Sequence, residues 1–215
     1  MLIIYDFISY TDVFTYNITT LESLLIYAMK TITYQSDYLG NGFEFATINQ
    51  PDDYEGKVVA TVIRKQCSMP SNKAVLYVHG FNDYFFQSDM AHRFNEKEYH
   101  FYAIDLRKYG RSTLPHHKSN NMRSLTEYFA DLDEALEIIR QEGNEQVLLS
   151  GHSTGGLLVT LYASERVGNE KFDTIFCNSP FYDMNMPGYQ KRLLVPLVAL
   201  FGKYFPDVLL PGKIS

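Results

Sequence analysis

Four stretches of this chain are apolar almost from end to end: KAVLYVHG at 73–80, HFYAIDL at 100–106, QVLLSG at 146–151 and DTIFCN at 173–178. None alternates polar with apolar residues, so each reads as a strand buried on both faces, the signature of a mostly parallel sheet covered by helices. The intervals support that reading. Leu125, Tyr128, Phe129, Leu132, Leu136 and Ile139 recur at three- and four-residue steps, which predicts a helix over 124–142 with Ser124 and Glu127 as its capping box and Gly143 as its stop. A weaker pattern predicts a helix over 84–96, and a third helix is expected from Ser153 to about residue 167. Two further runs, GFEFATINQ and KVVATVIRK, flank the turn-rich PDDYEG and predict an antiparallel pair at one sheet edge.

With 215 residues, 46% of them hydrophobic, the chain is long enough to bury a sizeable core. Its net charge is −6 and its Lys and Arg form no stripe, which argues against a nucleic-acid partner. Cys67 and Cys177 have no metal-like spacing and read as free thiols of a reducing compartment. The N-terminus meets Asp6 and Asp12 early and has no basic residue before Lys30, so it lacks a secretory signal and a cytoplasmic location is expected. Residues 1–41 read as an N-terminal extension with a helix near 20–31, residues 42–183 as the α/β core, and the proline-interrupted 184–215 as a separate covering segment.

The stretch LLSGHSTGGLLV carries the chemistry. A strand ending near Ser150 and a helix beginning near Thr154 leave almost no room for a turn, so Ser153 must take a strained backbone conformation. Gly151 and Gly155 stand two residues either side, where a side chain would strike the neighbouring strand or helix, while Gly156 gives slack for helix packing and His152 is structural. Such a turn lifts a serine hydroxyl above the carboxyl edge of the sheet, against the positive end of a helix. A phosphate loop would need a Lys after its glycines, and none is present. The strand at 73–79 ends in His79-Gly80, and the turn that follows can aim the Phe81 amide at the same edge. Phe81 and Thr154 are then a candidate pair of backbone donors for an oxyanion.

These three motifs, HGF, DLRKYGRS and GHSTGG, resemble the α/β-hydrolase superfamily, and within it the serine aminopeptidase S33 and lysophospholipase (monoglyceride-lipase-like) branch. The resemblance implies a sheet of order 1-2-4-3-5-6 flanked by helices, with the family's last two strands absent from this sequence. It also implies that Ser153 is the nucleophile of an esterase, that the Phe81 and Thr154 amides form the oxyanion hole, and that the substrate is a small-molecule acyl ester, with no metal or organic cofactor. Lys108 stands where relatives carry glycine, and Asp105, Arg107 and Arg111 beside it read as a structural network.

Relatives place an acid and then a histidine after the nucleophile. Here His152 is the last of six histidines, so the chain as given is expected to be inactive or weak, and a non-catalytic binding protein is the alternative reading. His116 and His117 lie at the correct sheet edge, and Asp183, just past the sixth strand, is a possible acid. In the last segment nine apolar residues, Leu193 to Phe201, sit between Lys191, Arg192 and Lys203, a pattern that suits an acyl-pocket cover, plain packing or contact with a membrane surface.

Overall fold

The computed structural model describes residues 32–168, 171–183 and 185–205; the helix expected near 20–31 lies outside them. Seven strands among the described residues form one mixed sheet: β1 Gln35–Ser36, β2 Glu44–Asp53, β3 Gly56–Lys65, β4 Lys73–Val78, β5 Tyr99–Asp105, β6 Gln146–His152 and β7 Thr174–Asn178. Their order is β1-β2-β3-β5-β4-β6-β7. Leaving aside the short β1, which pairs with β2 ahead of the first expected strand, this is the order 1-2-4-3-5-6. β3 runs antiparallel to β2 and β5, whereas β5, β4, β6 and β7 are mutually parallel.

Helices cover both faces of this sheet: α1 Ser88–Asn95, α2 Phe129–Gln141 and α3 Thr154–Glu165. Successive side chains of a strand point to opposite faces, so β4 sends Leu76 toward α2 and α3, into a cluster with Leu132, Leu136 and Leu158. Val75 and Tyr77 go to the other face, with Phe85, Phe101 and Ala91 of α1. Each fully buried Leu, Ile or Phe stabilises by about 1.5–3 kcal/mol, and β4 is buried along all but its first residue. β2 instead alternates, burying Ala46 and Ile48 and exposing Thr47 and Asn49, because only one of its faces is covered.

Four elements depart from the sequence expectation. α1 starts at Ser88 rather than near 84, because the Phe85 amide donates to Asp105 at 2.8 Å and its ring is buried in the second cluster. The 124–142 helix opens with a 3-10 turn, Leu125–Tyr128, closed by the expected Ser124–Glu127 capping box. β7 is exposed rather than buried on both faces, with Ile175 at 37% and Phe176 at 54%, because it has one strand neighbour and lies at the sheet edge. Pro196 does not break the last segment: α4, Gly188–Tyr204, runs through it, although a proline cannot donate the helical hydrogen bond at that position. No residue of α4 is buried. No helix among the described residues is long and apolar enough to cross a membrane.

Candidate active site

The register of β4 against β6 pairs Val78 with Gly151, so the residues after β4 and after β6 leave the sheet side by side. Ser153 is the one residue between β6 and α3, with φ +52° and ψ −119°. That combination falls outside the left-handed helical basin which Asn or Ser visits, and it is a conformation suited to glycine. Four backbone bonds hold it: the Ser153 amide donates to Asn178 O at 3.1 Å, while its carbonyl accepts from Gly156 N at 3.0 Å, Leu157 N at 3.2 Å and Phe181 N at 2.9 Å.

The glycines around it have backbone reasons. A Cβ on Gly155 would sit 2.4 Å from the carbonyl oxygens of both Val78 and His79, and one on Gly151 would sit 2.4 Å from Gly155 O. Gly156 meets Pro180 rather than open space, with 2.8 Å left for a Cβ, so it is a close approach and not the slack expected of it. A Cβ on Gly80 would come 3.3 Å from that of Ser153.

His79 is buried and locked on both ring nitrogens. Nε2 accepts from Leu106 N at 3.2 Å, which leaves Nδ1 as the donor to Gly80 O at 2.7 Å. Burial pushes its pKa below the usual histidine value, so the ring is neutral and braces the turn at Gly80. A cavity of about 10 Å³ follows, bounded by Gly80, Phe81 and Thr154 on one side and by Leu106, Tyr109 and Leu158 on the other. The two expected donor residues thus meet at one apolar space, beside the N-terminus of α3. The Phe81 ring itself is 59% exposed.

The loop after β5 is the expected network, with partners that no local spacing announced. Asp105 accepts from Phe85 N, from Arg111 N at 3.0 Å and from Arg111 Nη1 at 2.9 Å. Arg111 also grips Asp37 through two bonds of 2.7 and 3.0 Å. Arg107 holds the buried Asp131 at 2.7 Å. Lys108 has φ +66°, a backbone that favours glycine, yet its side chain is fully buried between Asp53 at 2.7 Å and Glu55 at 2.6 Å. Tyr109 and Tyr128, which also bound the cavity, were not singled out from the sequence for the site; the only signal was the place of Tyr128 on the apolar helical face.

The remaining histidines are engaged elsewhere. His116 and His117 both bond Lys57 O, at 3.0 and 2.9 Å, and His117 Nδ1 accepts from Leu114 N, so this pair braces the start of β3. His152 Nδ1 bonds Asn178 O at 3.1 Å. His92 stands edge-on to Phe43, and His100 lies against Cys67 and Ser71. The Asp183 carboxylate pairs with the Lys191 ammonium. Cys67 and Cys177 are free thiols, Cys177 half-buried.

Sheet order, flanking helices and the turn at Ser153 define the α/β-hydrolase fold, and solved structures agree. The chain matches a soluble variant of monoglyceride lipase from Saccharomyces cerevisiae, in complex with a substrate analog, at TM-score 0.55 and 19% identity over 87% of this chain and 58% of that one. It matches a monoacylglycerol lipase from Paleococcus ferrophilus at 0.54 and 23% identity, covering 72% and 56% of the two chains. A thermostable carboxyl esterase from Bacillus coagulans, in complex with glycerol, matches at 0.59 and 15% identity, covering 79% and 59%. The chain therefore spans less than two thirds of each of these proteins. The family model described as serine aminopeptidase, S33, matches residues 69–215, and the chain belongs to that family. No curated protein matches the sequence.

Proposed function

We propose that this chain carries the nucleophile half of a serine esterase, with Ser153 as the nucleophile. The observation that carries the reading is the backbone of Ser153, held at φ +52° and ψ −119° between β6 and α3 by neighbours that admit only glycine. Strain of this kind is retained where the surrounding structure enforces it, and such sites are commonly functional. The Ser153 oxygen attacks the carbonyl carbon of an acyl ester and its proton passes to a base. The oxyanion that forms accepts from the amides of Phe81 and Thr154; one such donor is typically worth about 3 kcal/mol of barrier. Collapse expels the alcohol and leaves the acyl group on Ser153, and water then releases the acid.

Ser153 needs a base to take its proton. The six histidine rings contact other residues, namely Gly80 and Leu106 for His79, Lys57 for His116 and His117, Asn178 for His152, Phe43 for His92 and Ser71 for His100, and the Asp183 carboxylate pairs with Lys191. The second reading, a binding protein that retains the pocket without turnover, holds if no base takes the Ser153 proton. A fluorophosphonate probe with mass-spectrometric mapping, run beside p-nitrophenyl ester hydrolysis, separates the two. The esterase reading expects a slow adduct confined to Ser153 and abolished in Ser153→Ala, with turnover close to background and no more than about 10³- to 10⁴-fold above water. An adduct on another residue, or equal labelling of Ser153→Ala, overturns it. Complete absence of labelling in a chain that still binds an acyl ester supports the binding protein.

A further inference from the structure

The tip of the β2–β3 hairpin is gripped by the loop that follows β5. Lys108 buries its ammonium between Asp53 and Glu55 and 4.1 Å from the centre of the Tyr54 ring, and the Arg123 guanidinium lies 3.7 Å from the same ring. The Tyr54 hydroxyl reaches on to Asn121 O at 3.1 Å. Burial raises the carboxyls of Asp53 and Glu55, and the Lys108 ammonium outweighs it, so both titrate below their ordinary values and stay charged. A lysine so enclosed in a left-handed backbone is a costly choice where glycine would fit without strain.

The contacts of Lys108 lead toward the site. Its carbonyl accepts from Asn120 N at 3.0 Å. Asn120 Nδ2 donates to Asn82 Oδ1 at 3.1 Å. Asn82 follows Phe81 directly and holds φ +55°, so its backbone sets the turn that carries the Phe81 amide. On the other flank of Lys108, Tyr109 packs on His79 with ring centres 4.7 Å apart, bracing the same turn from the strand side. Lys108, Asn120 and Asn82 therefore connect a hairpin two strands away from β4 to one of the two proposed oxyanion donors.

We infer that Lys108 is a positioning residue: anchored by Asp53 and Glu55, it holds the Phe81–Asn82 turn through Asn120. Its functional weight rests on the reading of the Phe81 amide given above, whereas the link itself is tested without it. The measurement is the backbone ¹⁵N order parameter of Phe81 and Asn82. In the unaltered chain both are expected near the rigid value of about 0.85, and in Lys108→Gly, which suits the left-handed backbone and removes only the side chain, both should fall below about 0.6. Asn120→Gly, compatible with φ +59° at that residue, removes the Asn82 bond, leaves the buried ion pairs in place and should give the same fall. If Lys108→Gly fails to fold, the double variant Asp53→Asn with Glu55→Gln, which removes the anchor of the ammonium, takes its place. Leu136→Ala, a fully buried α2 leucine away from the link, lowers stability and should leave both values unchanged. Phe81 and Asn82 remaining rigid in Lys108→Gly or its replacement, or in Asn120→Gly, or loosening equally in Leu136→Ala, overturns the inference and leaves the esterase reading intact. A loosened turn in a chain whose Ser153 never takes up the probe upholds the link and removes only its catalytic meaning.

Discussion

The edge of the sheet around Ser153 and the segment beyond β7 are held in opposite ways. At the first, backbone meets backbone: Gly151, Gly155 and Gly156 have less than 3 Å for a Cβ, and Ser153 is fixed by bonds to four other residues. In the second, no residue of α4 is buried, and among the described residues a Cβ on Gly188 or Gly202 would meet nothing within 4 Å beyond the helix's own backbone. The same residue type is thus obligatory in one region and incidental in the other. What differs is whether neighbouring chain occupies the space a side chain needs.

The largest effect that could break this contrast is at Gly155. Its Cβ would press on two main-chain carbonyls, which have no rotamer with which to yield, so Gly155→Ala is expected to cost about 4 kcal/mol or more and to abolish the native turn. Urea unfolding reads the loss, and a midpoint near that of the unaltered chain would show that β4 and α3 can separate freely. A second comparison uses one residue type in both regions. Leu149 in β6 is fully buried, and Leu149→Ala should cost about 3 kcal/mol. Leu197 in α4 is 53% exposed, and Leu197→Ala should change stability by less than about 0.5 kcal/mol. Equal losses would mean that α4 is packed in solution.

The same contrast marks what was legible beforehand. The strands, the helix after β5 and the turn at Ser153 could be read because their determinants are local: unbroken apolar runs, a helical period from Leu125 to Ile139, and glycines two residues from a serine; the strand order came from the family resemblance. The ion pairs that brace the site could not. Arg111 finds Asp37 at 74 residues' distance and Arg107 finds Asp131 at 24, separations at which charge pattern carries no pairing information. His116 and His117 sit at the expected sheet edge, but their bonds to Lys57 follow from how the β2–β3 hairpin folds over, which no spacing encodes. Pro196 misled for the reverse reason, since a rule about local hydrogen bonding was outweighed by the remaining turns of a 17-residue helix.

The smallest effect has the opposite sign. If the Ser153 backbone is retained for chemistry rather than for folding, the chain would be more stable with a residue that adopts φ +52° and ψ −119° without conflict. Removing the side chain relieves a conformation that costs roughly 1–3 kcal/mol, while glycine gives back about 0.5–1 kcal/mol in unfolded-state entropy. Ser153→Gly should therefore raise stability by about 1 kcal/mol, seen as a higher urea midpoint at unchanged m, while losing all fluorophosphonate labelling at that position. Stability and reactivity moving apart is the mark of a strained functional residue. Were Ser153→Gly to lower the midpoint instead, the serine would be part of what holds the turn, and the case for a nucleophile would rest on the oxyanion donors alone.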